Sequence, residues 1–255
     1  MSEWDAAEYH RLSDPQRSWG LRVLDRLAPA PGEHILDVGC GTGRLTADLR
    51  AAAGNGRIAA LDRSWTMVRE ARRHLSRPVG VAQADAAALP FGSETFDAVF
   101  STATFHWVPD HPTLFAEIFR VLRPGGRLVS QAGGGPNLET LYTRTSALAR
   151  NPEFARYFAG WRDPWTFAGV DDTRALMVRA GFFDIEVWLE STPTPLPDAP
   201  GYAAFVTTVC LRTQLHRLPE DKRGSYVARL TDMAAGDEPS FTLDYWRLNI
   251  DARKS

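Results

Sequence analysis

The chain has 255 residues, 44% of them hydrophobic, enough to bury a full core without division into separate domains. Its formal charge of −2 supplies no bulk attraction for a polyanion, so DNA is not an expected partner. Two cysteines are too few for a disulfide framework, the opening residues are polar and acidic, and no apolar run reaches membrane-spanning length. A cytoplasmic protein without membrane association is expected.

Residues 15–28 carry Trp19, Val23, Leu24 and Leu27 on one stripe, which predicts an amphipathic helix. The run Ile35-Leu-Asp-Val-Gly-Cys-Gly-Thr-Gly43 follows: an apolar strand ending in an acid, three alternating glycines, and a helix from near Arg44. Glycine permits so sharp a turn and leaves no side chain between backbone and ligand. A strand, a bare turn and a helix N-terminus together make a nucleotide-sized ledge. A dinucleotide fingerprint requires a third glycine where Arg44 stands, which argues against a pyrophosphate ligand.

Two further short runs, Arg57–Asp62 and Pro78–Asp85, are apolar and end in acids. Asp62 is placed for the two hydroxyls of a ribose, and Asp85 for an adenine amino group. Three successive strands tipped with acids predict a ligand across the carboxyl edge of a parallel sheet. Helical spacing recurs over Ser64–Leu75 and over His111–Leu122, where Leu114, Phe115, Ile118 and Leu122 align. Pro124-Gly-Gly126 then punctuates the entry into a strand at Arg127–Gln131. Alternating strands and helices of this kind predict a parallel sheet covered on both faces.

Beyond Gln131, Gly133-Gly-Gly-Pro136 is a flexible joint, and Leu138 to Val170 is rich in aromatic residues: Tyr142, Phe154, Tyr157, Phe158, Trp161, Trp165 and Phe167. A helix over Asp171–Ala180 closed by Gly181, a strand over Phe182–Leu189 and a stiff connector over Thr192–Pro200 follow. Two helices, Tyr202–His216 and Pro219–Ala234, and a final strand over Ser240–Asp251 complete the prediction. Residues 1–136, 171–197 and 237–255 are expected to form the core. Insertions at 137–170 and 198–236 are expected to pack together as a lid.

The chain resembles the class I S-adenosylmethionine-dependent methyltransferases. The matching pieces are Asp37–Gly43, Asp62–Met67, Gln83–Phe91, Phe96–Phe100 and Leu122–Leu128, in the family's order. Trp4-Asp-Ala-Ala-Glu-Tyr9, Arg17 and Trp107-Val-Pro-Asp110 point within that family to the trans-aconitate 2-methyltransferase branch. The resemblance implies an α/β fold: a Rossmann-like, seven-stranded, mostly parallel sheet with helices on both faces and a helical lid. It also implies S-adenosyl-L-methionine as cofactor, a small-molecule acceptor methylated at oxygen, and no metal.

By the same resemblance, Gly39, Cys40 and Gly41 lie against the methionine portion, and Tyr9 and Arg17 close over its carboxylate. Asp62 takes the ribose, Arg63 and Met67 pack on the adenine, and Asp85 and the Ala86 amide bind its edge. Ser101 and Thr102 line the floor. Asp37 either orients the loop or the ligand's ammonium, or serves as a helix-start anion. His106, after the fourth strand, is either a general base or a packed ring. A carboxylate acceptor needs no base, being ionised at neutral pH, but calls for arginines; Arg144, Arg162, Arg212 and Arg247 are available.

The DNA amino-methylating tetrapeptide is absent where Ser101-Thr-Ala-Thr-Phe105 stands, and no cysteine occupies the position used by pyrimidine C5 enzymes. A carrier-tethered acyl chain, RNA, or cofactor binding without catalysis stand as alternatives.

Overall fold

The computed structural model describes residues 14–76 and 78–255. Its centre is a seven-stranded sheet. In chain order the first part runs α1 (Asp14–Leu27), β1 (His34–Val38), α2 (Arg44–Ala52), β2 (Arg57–Asp62), α3 (Trp65–His74), β3 (Gly80–Gln83), β4 (Phe96–Thr102), α4 (His111–Val121) and β5 (Leu122–Gly133). The second part runs α5 (Glu139–Ala149), α6 (Val170–Ala180), β6 (Phe182–Ser191), β7 (Thr194–Pro195), α7 (Ala199–Phe205), α8 (Arg212–Leu215), α9 (Glu220–Ala235), β8 (Thr242–Leu243) and β9 (Trp246–Lys254).

The strand order is β3-β2-β1-β4-β5-β9-β6, parallel except for β9, which pairs antiparallel with both β5 and β6. The order reverses between β1 and β4, which places the crevice for a ligand at the carboxyl end of β1.

Period-two alternation sorts the strand residues onto two cores. Leu36, Val38, Val99 and Leu128 pack with Leu114, Phe115 and Ile118 of α4. Ile35, Phe100 and Val129 pack on the other face with Val23 and Leu27 of α1 and Leu49 of α2. Each fully buried large apolar side chain contributes roughly 1.5–3 kcal/mol.

A separate apolar cluster joins the two inserted helical segments: Leu141, Leu148 and Phe154 from the first meet Tyr202, Tyr226 and Leu230 from the second. Tyr226 donates to the Thr145 carbonyl at 3.3 Å, and Arg144 is ion-paired with Asp237. Trp19 of α1 also belongs to this cluster, meeting Tyr245 edge-on at 5.1 Å.

Three predicted elements differ in detail. The helix expected over Tyr202–His216 is broken by a π turn at Val206–Cys210, where the Leu211 amide bonds back to the Val206 carbonyl at 2.8 Å. The final strand is split: Thr242–Leu243 pairs with Thr194–Pro195 inside the expected connector, and only Trp246–Lys254 joins the main sheet. Strand β5 starts at Leu122 rather than Arg127, because the register with β4 shifts between Phe96 and Ala98 and absorbs the Pro124–Gly126 excursion. Among the described residues, no helix is long and apolar enough to cross a membrane.

Candidate functional site

The glycine turn follows β1 with φ of +82° at Gly39, +55° at Gly41 and +85° at Gly43, all in the left-handed region. The first two need glycine for opposite reasons. A methyl on Gly39 would lie 1.9 Å from the Thr104 Oγ1, so its bare Cα seats the β4 exit against the turn. A methyl on Gly41 would meet nothing within 4 Å, so this Cα faces open space. Gly39→Ala is therefore expected to cost about 2–4 kcal/mol of folding stability. Gly41→Ala is expected to cost only about 1 kcal/mol while weakening cofactor-product binding at least tenfold. Thermal melts beside calorimetric titration with S-adenosylhomocysteine separate the two; equal effects of both variants on both readouts would contradict this division.

The open side of Gly41 belongs to a cleft lined by Arg17, Asp37, Gly39, Cys40, Thr102 and Ala103, among others. Asp62, at the tip of β2, braces it from below. One carboxylate oxygen accepts from the Gly41 amide at 2.9 Å and the other from the Ser64 amide at 2.8 Å. Each oxygen keeps a further lone pair for a ligand hydroxyl. Burial raises the Asp62 carboxyl above its ordinary range, opposed by these amides. Asp37 is 2% exposed and accepts from the Thr46 hydroxyl of α2 at 2.6 Å. Burial first, and the nearby Asp62 charge in addition, push Asp37 up to about 7 against the opposing Thr46 bond.

That shift has a signed consequence. Between about pH 4 and 7 the folded protein holds a proton on Asp37 that the unfolded chain has released. The stabilisation from this group is complete at the acid end and is lost as pH rises to about 7. The span from the ordinary carboxylate value amounts to at most about 4 kcal/mol. Ligand-free protein is expected to denature more readily at pH 7.5 than at pH 5.5, with Asp37→Asn removing most of the difference. Identical pH profiles for the two proteins would contradict the assignment.

The remaining predicted cofactor residues fall into groups. Arg17 lines the cleft and is ion-paired with Asp48 of α2 at 3.0 Å. Arg63 and Asp85 face each other at 3.7 Å beyond β2 and β3, and Asp85 also accepts from the Ala87 amide at 3.0 Å. Ala86 and Met67 are buried beside them. Ser101 turns inward and donates to the Val38 carbonyl at 2.7 Å, tying β4 to β1 rather than facing the cleft. Burial raises the Cys40 thiol well above its ordinary range, which leaves it a small apolar group. Tyr9 lies outside the described residues.

A second cavity adjoins the first, and Ala103 lines both. Ala103 has φ +53°, an unusual value for a residue with a Cβ, and its amide is held by the Gln131 carbonyl at 2.8 Å. The second cavity gathers His106 and Trp107, Asn137, Tyr142, Trp165 and Phe167, Cys210 of the π turn, and Tyr245 and Arg247. Arg247 is 3% exposed, its guanidinium 4.6 Å over the Trp19 ring and 5.8 Å from that of Tyr245.

His106 accepts the Gly133 amide hydrogen on Nδ1 at 3.2 Å, which puts the ring hydrogen on Nε2. Burial, then the charge of Arg247, then His111 push its pKa down to about 3. The ring is a neutral donor at physiological pH, and the nitrogen a base would use is already engaged. Asn137 accepts the Trp246 amide on Oδ1 at 3.0 Å and lines the cavity. Cys210, pushed up to about 12 by burial, pairs with the Tyr245 hydroxyl and is no nucleophile. Among the described residues, no cluster of side chains suits a metal ion.

The sequence alone did not single out Ala103, Asn137 or Tyr245. The left-handed Ala103 leaves no mark in composition, and Asn137 and Tyr245 belong to no motif.

The first cleft fits a nucleoside carrying a cationic centre. It has an open ledge at Gly41, Asp37 in its wall, Asp62 bonded to the Gly41 amide, and an aromatic-walled chamber adjoining it at Ala103. A family model described as a methyltransferase domain matches residues 36–130. The chain is 31% identical over 231 residues to a trans-aconitate 2-methyltransferase of Methylobacterium nodulans, covering 90% of this chain and 88% of the relative. It is 34% identical over 210 residues to a malonyl-[acyl-carrier protein] O-methyltransferase of Geobacter sulfurreducens, covering 80% and 76%. A solved structure of Haemonchus contortus phosphoethanolamine N-methyltransferase 2 in complex with S-adenosyl-L-methionine superposes with a TM-score of 0.62 at 20% identity, covering 98% of this chain and 56% of that one. The site geometry and these likenesses agree: the chain belongs to the class I S-adenosylmethionine-dependent methyltransferases and uses S-adenosylmethionine as its cofactor.

Proposed function

We propose that the protein methylates a carboxylate oxygen of a small-molecule acid, with the acceptor in the second cavity and the cofactor on the Gly41 ledge. The carrying observation is the polarity of that cavity. His106, with Nδ1 engaged by the Gly133 amide, Asn137, with Oδ1 engaged by the Trp246 amide, and Arg247 line it, and among the described residues no carboxylate does. Donors without a buried acid suit an anion. The curated relatives named for trans-aconitate and for malonyl-carrier protein both name acceptors with a free carboxylate, which supports the same reading.

When bound, S-adenosylmethionine supplies a methyl group on a sulfonium, a leaving group that needs no proton. A carboxylate acceptor is likewise ionised already at neutral pH. The chain's task reduces to positioning and exclusion of water, where ideal orientation supplies at most about 7–11 kcal/mol. Gly41, Asp37, Asp62 and Arg17 hold the cofactor side. His106, Asn137 and Arg247 fix the acceptor oxygens. The helical segments 137–170 and 198–236 close the chamber as a lid over the 1–136, 171–197 and 237–255 core.

Congener pairs test this reading. With labelled cofactor, an acid is expected to be methylated at least a hundredfold faster than the matching alcohol; preference for the alcohol would overturn it. At saturating cofactor, the pH–rate profile from pH 5 to 8 is expected to keep its shape in His106→Asn, whose side chain cannot titrate. A wild-type inflection near the ordinary histidine value that disappears in the variant would restore the general-base role.

A further inference from the structure

We infer that the acceptor is a monocarboxylic acid with a flat, unsaturated or aromatic body, an inference that rests on the carboxylate reading above and narrows it. Two features of the second cavity carry this.

The first is its wall. Tyr142 and Trp165 lie 4.5 Å apart at 30°, Tyr142 and Phe167 5.8 Å apart at 32°, and Trp165 and Phe167 6.2 Å apart at 24°. The three rings lean on one another and together form an aromatic wall of the cavity. Trp107 meets Trp165 edge-on at 5.9 Å and His106 lies 5.9 Å from Phe167, so the rings run up to the donor group. Aromatic faces of this kind favour offset stacking with a planar guest.

The second is the count of cations. Among the described residues, Arg247 is the one arginine or lysine lining the cavity. Of the other candidates, Arg144 is committed to Asp237, Arg162 is exposed, and Arg212 does not line the chamber. A tricarboxylate would therefore press two carboxylates without cationic partners against aromatic walls, at a large desolvation penalty. A single carboxylate at Arg247, His106 and Asn137 leaves the rest of the guest among the rings.

The test uses the full chain with trans-cinnamate, a short aliphatic monoacid (propionate) and trans-aconitate as probes. Methyl transfer to cinnamate is expected at a kcat/KM at least tenfold above that of either other acid. In the presence of S-adenosylhomocysteine, cinnamate is expected to quench the tryptophan fluorescence saturably, because Trp107 and Trp165 line its site. Trp165→Leu is expected to raise KM for cinnamate at least tenfold and to shrink its advantage over trans-aconitate.

Equal or better turnover of trans-aconitate would overturn the inference while leaving carboxylate methylation intact. Saturable methylation of alcohols or amines alone would remove the carboxylate reading and the inference with it. Absence of saturable quenching by cinnamate would overturn the inference even if Trp165→Leu failed to fold.

Discussion

Replacing Asp62 with alanine is expected to weaken S-adenosylhomocysteine binding by at least tenfold in calorimetric titration. A charge-assisted hydrogen bond contributes about 1.5–3 kcal/mol, which corresponds to roughly 10–150-fold in affinity. The loss has two sources. On the proposed reading the carboxylate would no longer meet the ribose hydroxyls, and the Gly41 and Ser64 amides it now accepts from would lose their partner. The second source also lowers folding stability, by about 2–5 kcal/mol for two orphaned amides. Asp62→Asn, which retains one acceptor oxygen, should recover part of the stability but less of the affinity. Wild-type affinity in a folded Asp62→Ala protein would remove Asp62 from the cofactor site.

The second large effect is expected at Arg247. Arg247→Met keeps an apolar stem against Trp19 and Tyr245 while deleting the charge. It should lower kcat/KM for acid acceptors at least a hundredfold, about 3 kcal/mol of transition-state stabilisation. Affinity for S-adenosylhomocysteine should stay within about twofold, because Arg247 lines the second cavity and not the first. The variant has a further signature. Since the Arg247 charge is one cause of the depressed His106 pKa, the imidazole should titrate at higher pH in Arg247→Met, readable by NMR. Activity losses without that movement would place Arg247 in packing rather than in the acceptor site.

The glycine turn and the sheet edge beside it were legible in the sequence because backbone chemistry dictates them. Alternating glycines after an apolar strand mark positive φ, and acids at successive strand ends mark the carboxyl edge of the sheet. Even there, residue type did not show direction. Ser101 faces the β1 backbone, and Gly39 is required by Thr104 rather than by open space.

The second cavity was hidden for a different reason. Its lining comes from segments far apart in the chain, with no fixed spacing to recognise. Strand β9 illustrates the difficulty. Its alternation of Leu248, Ile250 and Ala252 with Arg247, Asn249 and Asp251 reads as one core face and one solvent face. Helix α1 instead covers the polar face, with Arg26 bonded to Asn249 at 2.5 Å and ion-paired with Asp251 at 3.0 Å, and Trp19 over Arg247. The hydrogen bonding of His106 likewise turned on the Gly133 amide, a backbone group no side-chain pattern reveals.

The most direct test of the account is the chemical nature of the transferred methyl group. Product formed from methyl-labelled cofactor and an accepted small molecule is treated with mild alkali, and the volatile label is counted. Esters hydrolyse under these conditions, so the account predicts near-complete release as methanol. Label that stays on the acceptor through alkali would show an ether, amine or carbon bond and contradict it.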